Sequence, residues 1–100
     1  MLMFTAVMEY HFKPEYFTKA CEVWNNDVIE IAKKQPGFVR MQLLTREGEY
    51  ALAIGTWQKK EFADLFMETG IFVDILEKFE NMLVEKPTPT IWETTFYAEA

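Results

Sequence analysis

The sequence predicts an α+β protein with one four-stranded antiparallel sheet and helices laid on a single face. Three observations predict it. Along the 100 residues, hydrophobic spacing switches between a period of two and a helical period in the order β, α, β, β, α, β. Proline and glycine punctuate the switches, at Pro36-Gly37 and at Pro87 and Pro89. Half of the residues are apolar and 16% are aromatic, enough to fill a core within one domain spanning residues 1–100.

Met3 to Phe12 alternates Phe4, Ala6, Met8, Tyr10 and Phe12 on one side with Met3, Thr5, Val7, Glu9 and His11 on the other, which is a strand. Pro14 then opens a helix, where its fixed φ and missing donor cost nothing. Phe17, Cys21, Trp24, Val28, Ile31 and Ala32 form its apolar stripe, and it should run to about Lys34 before Gln35-Pro36-Gly37 stops it. Phe38 to Arg46 and Tyr50 to Trp57 read as two strands joined by Glu47-Gly48-Glu49, a hairpin connection that pairs them antiparallel. Lys59 to Lys86 returns to helical spacing, with Thr69 and Gly70 interrupting. A short helix, a break and a longer helix from Ile71 to Val84 are expected. Pro87 and Pro89 end that stretch, and Thr90 to Tyr97, rich in β-branched and aromatic residues, makes the last strand.

This order is the split βαβ, ferredoxin-like arrangement. Its helices cover one face of the sheet, yet the strand from Tyr50 to Trp57 is apolar on both faces and the first strand nearly so. A second apolar layer is required, and a twofold-related copy of the same sheet supplies it. The sequence therefore predicts a homodimer with the sheets face to face, centred on Leu52 and Ile54.

Sixteen Asp and Glu against ten Lys and Arg give a net charge of −6. Such a field repels phosphate backbones and anionic lipid, so neither nucleic acid nor membrane is an expected partner. The apolar start, Met1 to Met8, is too short to span a bilayer and lacks a basic leader and a small-residue cleavage site. Cys21 is the only cysteine, which excludes an internal disulfide and a cysteine-based metal cluster. A cytoplasmic protein is the expectation. Phosphate loops, nucleophile elbows and zinc-ligand spacings are all missing, and neither cofactor nor metal is expected.

The candidate site is built around Trp57. It shares a strand face with Ala51, Ala53 and Gly55, three small residues that leave room for a planar ligand to stack on the indole, or for a helix to approach and Trp57 to fill the core. Trp24, Phe62, Phe66 and Phe79 would line the same space or simply pack it. Asn25, on the flank of the first helix, offers an amide to orient a substrate oxygen. His11 is the only imidazole and could move a proton near neutral pH. Cys21 lies on the apolar stripe and reads as a packed thiol.

The opening strand followed by Lys13-Pro14, the helix closed by Pro36-Gly37-Phe38, the run Met41-Gln42-Leu43 and the strand ending in Thr56-Trp57 together resemble the antibiotic biosynthesis monooxygenase-like domains of the dimeric α+β barrel superfamily. The resemblance covers nearly the whole chain. It implies a fold like the one just read, and an activity like that of the cofactor-independent oxygenases of polycyclic phenols and quinols or of the haem-degrading enzymes. The haem-degrading members resemble it at Trp57 but hold iron with a histidine on the last long helix and carry an asparagine on the first strand, and Met3 to Phe12 and Ile71 to Val84 contain neither. The phenol oxygenases carry an asparagine four residues before the tryptophan, where this chain has Ala53. Two functions follow: a cofactor-independent monooxygenase acting on an aromatic, quinol-like molecule beside Trp57, or a non-catalytic dimeric small-ligand-binding, stress or regulatory protein of the same fold.

Overall fold

The computed structural model describes residues 3–68 and 70–100, with backbone alone at 71 and 72. The alternating first segment forms β1 (Met3–His11), and the hairpin forms β2 (Phe38–Arg46) and β3 (Tyr50–Trp57). Between the last two, Glu47 and Gly48 both take positive φ, 57° and 67°, the pair of left-handed conformations a type I′ turn requires. The sheet order is β2-β3-β1-β4, with every neighbouring pair antiparallel. This is the ferredoxin-like α+β fold that the order of elements predicts.

The first helical stretch is more complex than one amphipathic helix. A 3-10 turn at Pro14–Tyr16 leads into α1 (Phe17–Val23), a π-helical turn at Trp24–Val28, and α2 (Ile29–Lys33). In the π turn the Ile29 N–H bonds the carbonyl of Trp24, five residues back, and the widened turn keeps both Trp24 and Val28 buried. Gly37 then turns the chain at φ 76°, and its missing side chain matters doubly, because a Cβ there would clash with the edge of the Phe62 ring.

The second helical stretch divides into α3 (Lys60–Glu68) and α4 (Gly70–Phe79). Thr69, half of the expected break, lies outside the described residues, and Gly70 is the first residue of α4. α4 ends at Phe79 rather than at Val84. The reason is tertiary: Lys13 N–H bonds Met82 O at 2.7 Å, Val84 N–H bonds His11 O at 2.8 Å, and Leu83 bridges Phe12, so pairing with the end of β1 pulls this segment out of its helical pattern. β4 correspondingly starts early, at Thr88–Thr94, and takes in Pro89 because an edge strand tolerates a missing donor. It stops at Thr94 instead of Tyr97, where its partner Met3 is the first residue of β1. The tail crosses to the opposite edge of the sheet. There the Arg40 guanidinium lies 4.5 Å over the Tyr97 ring and 3.8 Å from Glu99.

The helices cover one sheet face, and Ala51, Ala53, Gly55 and Trp57 of β3 are buried beneath them. Across the register, Val7, Ile54 and Gln42 form one row of the other face, and Glu9, Leu52 and Leu44 the next. Leu44 is 47% exposed and Trp92, on the same face of β4, is 61% exposed. Among the described residues, no helix is long and apolar enough to cross a membrane.

Candidate functional site

Trp57 closes β3 as the largest fully buried side chain. Its rings lie 5.0 Å from Phe66 on α3, tilted at 34°, and 5.6 Å from Phe38 on β2, edge-on at 78°. Trp24 descends from the π turn on the far side, 3% exposed. The two tryptophans, Phe66, Gly55, Met41 and Met67 are among the side chains that wall a cavity of about 30 Å³, room for about one water.

The walls are nearly all apolar, with one exception in kind. Neither the Trp57 nor the Trp24 indole N–H has an acceptor among the described protein groups, although both nitrogens are buried. An unsatisfied buried donor costs about 1–3 kcal/mol, so two of them on side chains that share one small cavity are a conspicuous expense for a core to carry. Trp57 Nε1 stands 3.5 Å from where a Cβ on Gly55 would be. Glycine at that place keeps a Cβ away from the donor, and the Met41 methyl stands 2.9 Å from the same point. Tyr10 also lines the cavity, and burial pushes its phenol far above its ordinary value, so the hydroxyl keeps its proton.

Of the residues singled out from sequence, Trp57, Trp24, Phe66, Ala53 and Gly55 meet on this cavity, and Ala51, Asn25, Phe62, His11, Phe79 and Cys21 do not. Asn25 is exposed, because the π turn directs its neighbour Trp24 inward and leaves the amide on the wet side. Phe62 is half-buried against Gly37, away from the lining. His11 belongs to the opposite sheet face, since side chains alternate along β1. There its Nε2 donates to Glu49 Oε1 at 2.8 Å, and its ring stacks 4.4 Å from that of Tyr50. Phe79 packs in a separate aromatic group, 5.4 Å from Tyr10 and 5.3 Å from Phe12. Cys21 is half-buried, and desolvation raises its thiol pKa, as its place on the apolar stripe implies.

The lining residues that the sequence reading missed are Ala6, Val7, Tyr10, Val28, Ile75 and three methionines, Met8, Met41 and Met67. One of them was within reach of the hairpin rule: Arg46 pairs with Tyr50, so Met41 must face Gly55. Among the described residues, no group of three His, Cys, Asp or Glu side chains is placed to hold a metal ion.

The architecture defines a class, the ferredoxin-like α+β fold, and solved structures of that fold include antibiotic biosynthesis monooxygenases. Solved structures give that class its particulars. The chain is similar to a monooxygenase from the gene ActVA-Orf6 of Streptomyces coelicolor, solved with the ligand nanaomycin D, at TM-score 0.82 and 16% identity over 99% of this chain and 93% of that one. It is similar to NE2512, a protein of unknown function from Nitrosomonas europaea, at TM-score 0.84 and 10% identity over 100% and 96% of the two chains. A conserved protein from Methanosarcina mazei matches at TM-score 0.75 and 20% identity, over 92% of each chain. No family model matches the sequence, and no curated protein does.

Proposed function

We propose that this chain is a homodimeric, cofactor-independent monooxygenase of an aromatic, quinol-like small molecule. The observation that carries the reading is the pair of buried, unpartnered indole N–H groups of Trp57 and Trp24, two side chains that line one apolar cavity. A phenolic or quinol oxygen bound there would supply the acceptor these donors lack. Two donors favour its ionised form in a dry site, and an electron-rich phenolate can react directly with dioxygen. The balance closes without an added reductant: the phenol and dioxygen give a quinone and water, one oxygen atom entering the ring and the other leaving with the ring and hydroxyl hydrogens. The protein then supplies burial, orientation and two fixed dipoles. The ligand-bound monooxygenase with this fold, from Streptomyces coelicolor, supports the reading as a likeness only.

The dimer forms through the sheet face that the helices leave uncovered, where Val7, Leu44, Leu52 and Ile54 make an apolar centre. Oxygen uptake tests the activity. A panel of phenols and quinols mixed with the protein should consume dioxygen with a matching yield of quinone, and Trp57→Phe, which keeps a ring but loses the donor, should weaken substrate binding roughly 2- to 10-fold. No uptake with any compound, together with a small aromatic molecule retained through native purification and seen by mass spectrometry, would establish the non-catalytic binding protein instead. One observation favours that second reading: Tyr10 is the only ionisable side chain on the described lining, so no group there titrates near neutral pH to take the substrate's proton.

A further inference from the structure

The cavity is about a tenth or less of an ordinary small-molecule pocket, roughly 300–1,000 Å³, so part of its wall must yield before an aromatic ring can enter. Most of that wall is fixed. Trp57, Trp24, Phe66 and Ile75 are core residues, and Ala6, Ala53 and Gly55 have nothing to swing away. Met41 is different in four respects. It is only half-buried, it sits on β2 at the edge of the sheet, and it follows a register shift between Phe38 and Arg40 that loosens the pairing there. Its methyl also occupies the space that glycine vacates, 2.9 Å from where a Cβ on Gly55 would stand, and that same point is 3.5 Å from Trp57 Nε1. An unbranched thioether with three rotatable bonds thus stands over Gly55, beside the side chain that carries the unpartnered donor.

We infer that Met41 is a displaceable plug beside the Trp57 indole, and that its outward swing admits an acceptor-bearing aromatic ring and sets the size of ring the site accepts. The inference rests on the ligand-binding reading of the cavity. It assigns to a strand residue, not to the helices, the control of entry. Met67 on α3 is the other half-buried thioether on the wall, and it serves as the comparison.

The test measures, by calorimetry, the affinities of phenol, 2-naphthol and 2-hydroxyanthraquinone for the wild type, Met41→Ala, Met41→Ile and Met67→Ala. Shortening the plug should raise binding of the three-ring probe at least tenfold relative to phenol. A β-branched plug, stiff at χ1, should lower binding of all three at least tenfold. Equal affinities across the Met41 variants, or the same gain in Met67→Ala, would overturn the assignment. If Met41→Ala fails to fold, Met41→Leu keeps the volume and should retain the wild-type ring preference at lower affinity. Methyl ¹³C NMR of the methionines reads the plug without any ligand. The Met41 methyl should exchange between two positions while that of Met8, 5% exposed, stays single. A single rigid Met41 resonance refutes the plug even if probes bind. Silence of every probe against both wild type and Met41→Ala removes the ligand reading itself, and the methyl resonance then still decides whether Met41 moves.

Discussion

Trp57→Phe is the substitution in which the unpartnered donor leaves its clearest mark on stability. The indole is 0% exposed, so truncating it to Ala should cost the roughly 3–5 kcal/mol usual for a large buried aromatic. Phe retains about two-thirds of the ring atoms, and by proportion the lost packing costs about 1–2 kcal/mol. Against this, the change removes a buried N–H with no acceptor, a relief of about 1–3 kcal/mol. The terms nearly cancel. Thermal unfolding at fixed protein concentration should therefore place Trp57→Phe within about 1 kcal/mol of the wild type, a melting shift of at most about 4–8 °C. Trp57→Ala should fall several times further. If Trp57→Phe loses more than about 3 kcal/mol, the N–H is satisfied in solution, by a water in the 30 Å³ cavity, and the argument for a waiting acceptor site fails.

Two further outcomes follow from the sheet and from β1. Ile54→Lys places a charge in the middle of the uncovered sheet face, opposite Val7 and Gln42, and should abolish the dimer and most of the stability together; analytical ultracentrifugation showing a stable wild-type monomer at micromolar concentration would refute the interface. Burial raises the Tyr10 phenol above its ordinary pKa of 10.0, so the folded chain keeps a proton that the unfolded chain releases in alkali. The stability it contributes is complete below about pH 10 and declines as pH rises above it, and Tyr10→Phe should flatten that decline in denaturant titrations between about pH 9 and 11.

The sequence made the fold legible wherever the signal was local. Alternation marked β1, the glycine-containing connection marked the β2–β3 hairpin, and Pro36-Gly37 marked the end of the first helix. The errors lie where a distant partner decides. Met82, Leu83 and Val84 have helical spacing, but Met82 O and Val84 N–H bond Lys13 and His11 and set Leu83 opposite Phe12, which ends α4 early and draws β4 back to Thr88. The π turn at Trp24–Val28 is invisible to an apolar stripe, because one extra residue per turn leaves the same side chains buried while rotating Asn25 away from the cavity.

The site follows the same division, and that division says what kind of protein chemistry to expect from it. Trp57 and its small neighbours could be read from the strand alone, since alternation assigns them one face. Whether Trp57 was a wall or a plug could not, because the decisive fact is the absence of an acceptor at a nitrogen, a property of everything around it. The packing gives a mixed answer. Trp57 is as buried as any core residue, yet its one polar atom and that of Trp24 are left without partners beside a void with thioethers in its wall. Trp→Phe changes would remove those donors at a packing cost that the relief nearly offsets, so stability alone does not require either indole. Keeping both is the pattern expected where a ligand oxygen completes them, because the energy withheld from folding is then recovered on binding.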